Sequence, residues 1–519
     1  MKKVLTSAIL FTFMAMNAQN SNLNDFEYLE YDIAKIQNLY STKQASVKEV
    51  IKAYLKRIDE IDQNGIKLNS VITVNPDAMK IADSLDQIPL KKRKGALFGI
   101  PVLLKDNIDT HDKMPTTAGS LALKNSFPKQ DSEIAKKLRE AGAVIIGKNN
   151  LSEWANFRGK NSTSGWSGYG GVTKNPYDLT RNTCGSSAGS GASISANLGV
   201  ISIGTETNGS IVCPSSLNGI VGLKPTVGLL SRSGIIPISS SQDTPGPMAR
   251  TVRDVAVSLG ALTSIDKRDA ITSENKNFAK TDYLPYLNLN GLKGKRFGYS
   301  KNPTNGSHPK VDELFNKTLE FLKSEGAELI EIENVISRET DGASFELMVM
   351  EYKDGLNDYF KSLGKDAPIK SLEELIEFNK NSPEELQYFG QEYLIMAQET
   401  DGIKDKKYAE ARNKAYSGSR ENGIDAVMKK HQLDAIIAPT ASPAWKTDLI
   451  NGDNYLFGTS SPAAISGYPN ISLPMGNIEG LPVGISIYAE KWSEGKLLEI
   501  AYTFEQKNPQ RIIPQFKNQ

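Results

Sequence analysis

The chain has 519 residues and a formal net charge of +1, so it carries no charge field that would hold nucleic acid or an acidic membrane surface. A hydrophobic content of 39% with 8% aromatic residues is typical of a globular protein and excludes a disordered one. Length alone is compatible with about three domains of ordinary size, and it is ample for a large core.

The first residues are arranged like an export signal. Two lysines precede the apolar run 4–16, and the small residue Ala18 follows it. The run is shorter than the ~20 residues that a membrane-spanning helix needs. The polar segment 19–22 disfavours the alternative, a buried N-terminal helix. We predict a signal peptide over residues 1–18, cleaved near Ala18, and a soluble mature protein that is periplasmic or secreted, with no membrane attachment.

Beyond this segment the chain alternates between helical and strand-like patterns. Ser46 and Glu49 form a capping box that opens an amphipathic helix, whose apolar face continues to Ile61. The prolines of residues 242–250 predict a turn-rich segment before a helix at Thr251. Short apolar runs typical of buried strands occupy residues 97–104, 143–148, 200–203, 295–299, 328–332, 434–439, 471–473 and 483–487.

Strands interleaved with helices predict an α/β fold. Residues 338–432 differ from the rest because they are rich in Lys, Glu, Asn and Tyr. We interpret them as a solvated helical region outside the catalytic part.

Lys105 follows the apolar run 97–104, where a lysine is unusual because lysine is seldom buried without a reason. A serine hydroxyl needs a base to become a nucleophile. Lysine with its ordinary pKa of about 10.4 is protonated at neutral pH, but burial lowers that pKa. Lys105 is therefore a candidate base. The alternative, an ion pair with a carboxylate such as Asp106, stays open on spacing alone.

Residues 182–227 are dense in Gly, Ser, Thr and Ala and nearly lack long polar side chains. A flexible linker would not need the apolar run 200–203. Glycines in such a setting permit close backbone approach, so we interpret the stretch as a backbone-lined pocket carrying nucleophilic serines. In an exported protein its two cysteines, Cys184 and Cys213, are candidates for one disulfide. The simpler interpretation is two small buried apolar residues.

Other chemistries fit the sequence less well. Residues 185–189 match the G-x-S-x-G elbow of α/β-hydrolases, but no strand-like run precedes them, and the base would have to be His308 or His431 in polar surroundings. The Ser-x-x-Lys pattern occurs only in charged segments, without an accompanying Lys-Thr-Gly. Histidine and cysteine spacings predict no metal site, and the serine-rich stretch lacks the Lys of a phosphate-binding loop.

Three segments together resemble the amidase signature family: Lys105 at the end of a strand-like run, the turn at residues 185–187, and residues 204–211 with Ser210 placed 24 positions after Ser186. The similarity spans about residues 46–505 and is weakest after Arg338. Residues 150–156 and 206–214 look most like bacterial peptide amidases, which deamidate peptide C-termini.

The resemblance implies a single large α/β domain over residues 19–519. A central mixed β-sheet would be flanked by helices on both faces. Residues from about 338 to 432 would form a variable helical region within this domain.

The resemblance also implies roles for individual residues. Ser210 would be the nucleophile, and Ser186, after a cis peptide following Gly185, would relay the proton to Lys105. Ser187 would hydrogen-bond Lys105 or serve only as a turn residue. The oxyanion hole would consist of the backbone N–H groups of Thr207, Asn208, Gly209 and Ser210. No metal or cofactor is implied.

This sequence departs from the family pattern at three positions. Cys184 and Ala188 replace two glycines of Gly-Gly-Ser-Ser-Gly-Gly, and Asn208 stands where Gly or Asp is common. None of these changes removes a reactive group, so they bear on substrate shape rather than on activity.

We therefore expect an exported amidase that converts a small amide or an amidated peptide to a carboxylate and ammonia, as a monomer or homodimer. One alternative is the amidase-like component of an aminoacyl-tRNA amidotransferase, which the export signal opposes. A Ser-His α/β-hydrolase-type esterase is a second. A non-catalytic binding protein is a third, and the intact set Lys105, Ser186 and Ser210 argues against it.

Overall fold

The computed structural model describes residues 23–518, so the predicted signal peptide lies outside the described residues. Thirteen strands occur in this range: β1 Val71–Val74, β2 Pro101–Lys105, β3 Val144–Asn149, β4 Trp166–Ser167, β5 Gly171–Val172, β6 Ile201–Glu206, β7 Val221–Lys224, β8 Thr244–Ala249, β9 Arg296–Tyr299, β10 Glu328–Glu331, β11 Ala435–Pro439, β12 Asn470–Ile478 and β13 Leu481–Tyr488.

The same residues form fifteen α-helices: α1 Ile33–Thr42, α2 Val47–Arg57, α3 Ala78–Asp86, α4 Glu133–Glu140, α5 Ala188–Ser195, α6 Val212–Leu217, α7 Val252–Leu262, α8 Pro309–Ser324, α9 Arg338–Ser362, α10 Leu372–Lys380, α11 Glu392–Gln398, α12 Tyr408–Ser419, α13 Asp425–His431, α14 Ser461–Ser466 and α15 Glu494–Lys507. Between residues 23 and 518, no helix combines the length and apolar character that crossing a membrane requires.

Eleven strands form one mixed sheet in the order β1-β3-β2-β6-β8-β7-β12-β13-β11-β9-β10. Strand β2 runs parallel to β3 and β6, whereas β6 and β8 are antiparallel. Every residue of the central strands β2, β6, β7, β8 and β11 is buried, so helices and loops cover both faces of the sheet. The predicted α/β fold with a central mixed sheet is confirmed.

The parallel pairing of β2 with β6 determines where a site can form. Leu104 lies opposite Ile203, so both strands end at the same edge of the sheet. Side chains just beyond the carboxyl ends of parallel strands commonly line binding crevices. At this edge Lys105 comes next to the segment that leads from β6 to α6, and that segment contains Ser210.

The turn predicted for residues 242–250 is wrong over β8, which is a buried strand inside the sheet. Prolines usually stay out of central strands because they lack an N–H group. Here β8 pairs with β7 only at Met248 and Ala249. Pro245 and Pro247 therefore face no β7 residue that needs their amide hydrogen, and the full ladder with β6 is kept.

The capping box is confirmed: the N–H of Glu49 donates to Ser46 Oγ at 3.2 Å, and the N–H of Ser46 donates to Glu49 Oε2 at 2.8 Å. Helix α2 ends sooner than predicted, and residues 58–63 continue as a π-helix that still buries Ile58 and Ile61.

The region 338–432 is helical, as predicted, but it is not simply solvated. Tyr352, Leu356 and Phe360 of α9 are buried in a second hydrophobic cluster that also contains Trp154 and Phe157. Because Trp154 and Phe157 belong to the loop after β3, the helical region packs directly against a segment near the site. Its polar composition therefore does not mean that the whole region is exposed to solvent.

Candidate active site

The Lys105 side chain is fully buried at the end of β2, as the apolar run predicted. Its Nζ lies 2.7 Å from Ser186 Oγ, 2.8 Å from Thr205 Oγ1 and 3.1 Å from the Thr205 carbonyl oxygen. Burial lowers the pKa of Lys105 to about 7, although the carboxylates of Asp243 and Glu206 act in the opposite direction. A large fraction of this amine is therefore neutral near pH 7 and able to accept a proton.

The contacts of Lys105 orient its lone pair. A neutral amine has two N–H groups and one lone pair, and the Thr205 carbonyl can only accept a hydrogen bond. If the two N–H groups bind the two oxygens of Thr205, the lone pair faces the Ser186 hydroxyl. Thr205 Oγ1 is itself held by the Asn107 side-chain amide, whose Nδ2 lies 3.1 Å away. The sequence patterns do not single out Thr205 as a site residue, although its place near the end of β6, beside β2, is a usable signal.

Asp106 is not the partner of Lys105. Successive residues of a strand point to opposite faces of the sheet, and the Asp106 carboxylate lies 3.8 Å from the buried Nζ of Lys148. It also accepts a hydrogen bond from Thr117 Oγ1. The ion-pair alternative for Lys105 is therefore wrong, because the partners of this lysine are hydroxyls and a carbonyl.

The Gly185–Ser186 peptide bond is cis, as the family resemblance implied. A Cβ atom on Gly185 would lie 2.1 Å from Ser152 Oγ, so the turn has no room for a side chain at this position. Ser187 does not reach Lys105. Its Oγ donates to the Thr205 carbonyl at 3.1 Å and accepts from the Thr205 N–H at 3.2 Å. The direct bond from Ser187 to Lys105 is thus corrected to an indirect one through Thr205.

Ser210 lies in the turn between β6 and α6, mostly buried but with 8% of its surface accessible. Its carbonyl accepts a hydrogen bond of 3.2 Å from the N–H of Ser187. Immediately after it, the N–H groups of Ile211 and Val212 donate to Glu206 Oε2 at 2.8 and 3.0 Å. The last residue of β6 thereby holds the start of α6.

Residues 207–209 form the turn that precedes Ser210. Gly209 has a φ of +87°, a conformation that favours glycine. Within residues 23–518, the N–H groups of Asn208, Gly209 and Ser210 have no hydrogen-bond acceptor. Thr207 Oγ1 donates to Asp243 Oδ1 at 2.6 Å. These contacts hold the turn while its backbone donors remain available.

The Asn208 side chain is anchored away from this turn. Its Oδ1 accepts from Ser460 Oγ at 2.7 Å, and its Nδ2 donates to Ser461 Oγ at 3.2 Å. Asn208, which stands where the family commonly has Gly or Asp, therefore links the turn to the start of α14.

Two cavities adjoin the turn. One of about 350 Å³ is lined by Gly185, Asn208 and Gly209, together with Trp445 and Tyr455. The other, of about 300 Å³, is lined by Thr205 and Thr207 and by residues of α9. The helical region thus contributes to the surroundings of the site.

Cys184 and Cys213 form a disulfide, so the interpretation as two unlinked apolar residues is wrong. Both are nevertheless buried among apolar residues, including Leu217 and Trp445. The sequence separation of the two cysteines could not show whether they pair, because pairing depends on how two turns approach each other in the folded chain.

The histidines lie outside this arrangement. His308 caps α8, where its Nδ1 accepts from the Val311 N–H at 3.3 Å, and His431 ends α13. The Ser-His alternative is therefore wrong. In the described part of the chain, no group of three or more His, Cys, Asp or Glu residues could hold a metal ion.

Comparisons with known proteins agree with this geometry. The family model for amidases matches residues 49–498. The structure of native peptide amidase from Stenotrophomonas maltophilia is 45% identical, with a TM-score of 0.90 over 95% of this chain and 99% of that one. A probable amidase of Arabidopsis thaliana is 40% identical over 95% of this chain and 92% of its own length. The chain therefore belongs to the amidase signature family.

As a member of this family, the protein is an enzyme that hydrolyses linear amides. More distantly, a component of the glutamyl-tRNA(Gln) amidotransferase of Thermoanaerobacter pseudethanolicus is 33% identical over 94% of this chain and 99% of its own length.

Proposed function

We propose that this enzyme is an exported peptide amidase: it hydrolyses the C-terminal carboxamide of peptides to a carboxylate and ammonia through an acyl-Ser210 intermediate. The observation that carries the proposal is the buried Lys105 amine, 2.7 Å from Ser186 Oγ. Its pKa is lowered to about 7, chiefly by burial.

In acylation, Ser210 Oγ attacks the amide carbon while its proton passes to Ser186 Oγ and the Ser186 proton passes to Lys105 Nζ. The proton then returns through Ser186 to the amide nitrogen, the C–N bond breaks, and ammonia leaves. Water attacks the acyl-Ser210 ester by the same proton route. The carboxylic acid is released and Ser210 regains its proton.

The turn before Ser210 supplies the electrostatic part of this reaction. The tetrahedral intermediate places negative charge on the former carbonyl oxygen. The N–H groups of Asn208, Gly209 and Ser210, with that of Thr207, are the donors that would receive it. Removing one such donor typically lowers kcat by about 10²–10³.

Two observations favour a peptide amide as substrate. The solved structures at 45% identity are of peptide amidase, one of them in complex with the competitive inhibitor chymostatin, a peptide-like molecule. The cavity beside Gly185 also contains Trp445 and Tyr455, large aromatic surfaces suited to side chains of a peptide. Among the residues that the structure describes, no basic side chain lines this cavity, which suits a ligand whose terminal carboxylate is replaced by an amide.

The amidotransferase alternative has weaker support. The glutamyl-tRNA(Gln) amidotransferase component from Thermotoga maritima matches this chain at 27% identity and a TM-score of 0.68, against 45% and 0.91 for the inhibited peptide amidase. Export is supported by the order of residues 2–18 and by the disulfide, because disulfides persist mainly in oxidising compartments.

The test is ammonia release from a panel of amidated dipeptides, free amino-acid amides and glutamine. We expect turnover of the amidated dipeptides, at least a 10³-fold loss in Ser210→Ala, and wild-type rates in the control variants His308→Ala and His431→Ala. Turnover of glutamine alone would favour the amidotransferase alternative. A rate retained in Ser210→Ala would exclude the proposed nucleophile.

A further inference from the structure

A covalent bond joins the two turns that carry the proposed serines. Cys184 directly precedes the cis Gly185–Ser186 peptide, and Cys213 lies in the first turn of α6, just after Ser210. The N–H of Cys213 also donates to the Gly209 carbonyl at 2.9 Å. The disulfide therefore connects the backbone beside Ser186 to the turn that contains the oxyanion donors.

Few other contacts connect the segment around Ser186 to the segment around Ser210. In the part of the chain that the structure describes, one hydrogen bond directly joins residues 184–187 to residues 207–213. It runs from the Ser187 N–H to the Ser210 carbonyl, at 3.2 Å. The remaining polar contacts of Ser187 go to Thr205 on β6. Without the disulfide, the spacing between the two serines would depend on that bond, on the contacts of Ser187 with Thr205 and on side-chain packing.

The backbone at Cys184 is consistent with a local constraint. Its φ of +56° lies in the left-handed region, which disfavours residues with a Cβ atom. The Asn182 side chain holds this conformation by accepting from the Cys184 N–H at 2.7 Å. A cysteine at such a position supplies a bond to α6 that the more easily accommodated glycine could not make.

The disulfide also borders the substrate side of the site. Cys184 and Cys213 line the cavity of about 350 Å³ that contains Gly185 and Gly209. Cys184 keeps 6% and Cys213 keeps 3% of its surface accessible. The two cysteines therefore border the cavity from which a small reductant would approach the disulfide.

We propose that the Cys184–Cys213 disulfide is a positioning element of the hydrolytic reaction. It keeps Ser186 Oγ and Ser210 Oγ in register for proton transfer, so breaking it slows acylation and leaves substrate binding nearly unchanged. The inference rests on the proposed roles of Ser186 and Ser210. A misplacement of about 1 Å between reacting groups can lower a rate about 100-fold.

The first experiment reduces the purified protein with dithiothreitol. Two electrons and two protons pass to the disulfide, giving two cysteine thiols and the cyclic disulfide of the reagent. We expect kcat for an amidated dipeptide to fall about 10- to 100-fold while KM stays within about twofold. Far-UV circular dichroism should be unchanged, and reoxidation with oxidised glutathione should restore kcat.

The second experiment compares Cys184→Ala/Cys213→Ala with Leu217→Ala, measured well below their thermal midpoints. Leu217 packs in the same apolar cluster as the disulfide, so its truncation tests a purely structural effect. We expect the double cysteine variant to match the reduced enzyme, and Leu217→Ala to lower the thermal midpoint without changing kcat. A fluorophosphonate that modifies Ser210 should react correspondingly slowly with the double variant.

Three outcomes overturn the inference: kcat within twofold of the oxidised enzyme in both disulfide-free forms, an equal loss of kcat in Leu217→Ala, or loss of secondary structure on reduction. If Ser210→Ala is inactive while the double cysteine variant has wild-type kcat, only the inference about the disulfide fails. If Ser210→Ala keeps its activity, the proposed function fails.

Discussion

At the scale of single residues, the proposed reaction requires that the Lys105 amine is neutral near pH 7 and that its lone pair points at the Ser186 hydroxyl. Burial provides the first property of Lys105, and the two oxygens of Thr205 provide the second. The nearest carboxylate in sequence, Asp106, faces Lys148 instead. Asp106 therefore forms no direct ion pair that would stabilise the protonated form of Lys105.

The pH dependence of activity follows from the pKa of Lys105. Only the neutral amine accepts a proton, and this pKa is lowered to about 7. We therefore expect kcat/KM to fall about tenfold for each pH unit below that value, with a plateau above it. Asp243 raises the pKa of Lys105, so Asp243→Asn should move the acid limb to lower pH.

Asp106→Asn is the matched control for this profile, because Asp106 contacts Lys148 rather than Lys105. The acid limb of Asp106→Asn should coincide with that of the wild type. Identical limbs in Asp243→Asn and the wild type would show that the limb does not report Lys105.

Thr205 gives a second prediction at this scale. Thr205→Val removes the hydroxyl that accepts from Lys105 at 2.8 Å and leaves the carbonyl in place. We expect kcat to fall about 10- to 100-fold because the amine loses its orientation. Thr205→Ser, which keeps the hydroxyl, should stay within a fewfold of the wild-type kcat in steady-state assays. Equal rates in the Val and Ser variants would contradict the orienting role.

At the scale of elements, the parallel strands β2 and β6 bring the proposed base Lys105 and the segment with the proposed nucleophile Ser210 to one sheet edge, and a turn at Gly185 brings Ser186 to Lys105. The turn is packed so closely that its shape depends on a residue without a side chain. Ser152 Oγ occupies the place of a Cβ atom on Gly185, and it also accepts from the Gly165 N–H at 2.9 Å.

Gly185→Ala should therefore lower kcat about 100-fold by displacing Ser186. The double variant Gly185→Ala/Ser152→Ala removes the clashing oxygen and should recover most of this loss relative to Ser152→Ala alone. Gly342→Ala is the control, since a Cβ atom there meets nothing within 4 Å. Kinetics of ammonia release measure all four variants, and a loss unaffected by Ser152→Ala would argue against the steric explanation.

At the scale of the whole molecule, buried polar contacts attach the helical region to the core beside the site. Glu385 Oε1 accepts from the Leu121 N–H at 2.6 Å and from Ser120 Oγ at 3.0 Å. Arg158 donates to the Glu385 carbonyl and pairs with Glu153 at 2.7 Å. The side chains of Glu153, Arg158 and Glu385 are buried, so water cannot replace these contacts.

Glu385→Ala should lower the free energy of unfolding by about 1–3 kcal/mol, because it leaves buried donors unpaired. Its exposed neighbour provides the control: Glu384→Ala should change that free energy by less than about 0.5 kcal/mol. Urea unfolding followed by circular dichroism measures both. Equal changes in the two variants would mean that the buried contacts do not hold the region in place.

The sequence by itself determined the α/β class, the strand that ends at Lys105 and the candidate set Lys105, Ser186 and Ser210. Apolar runs and residue types report burial and chemistry locally, and the spacing of the serines carries the family pattern. The prolines of β8 led to the wrong prediction of a turn. A proline has no N–H group, and whether a strand needs that group for pairing depends on the neighbouring strands.

Only the tertiary structure decided which groups touch. It joins Cys184 to Cys213 in a disulfide. It also places the Lys105 amine in hydrogen-bond contact with Thr205 rather than with Asp106, and it places Ser187 in hydrogen-bond contact with Thr205. It also brought the helices after Arg338 against the site. Most of these contacts join residues far apart in the chain, and their distance depends on strand order and packing, which no local pattern encodes.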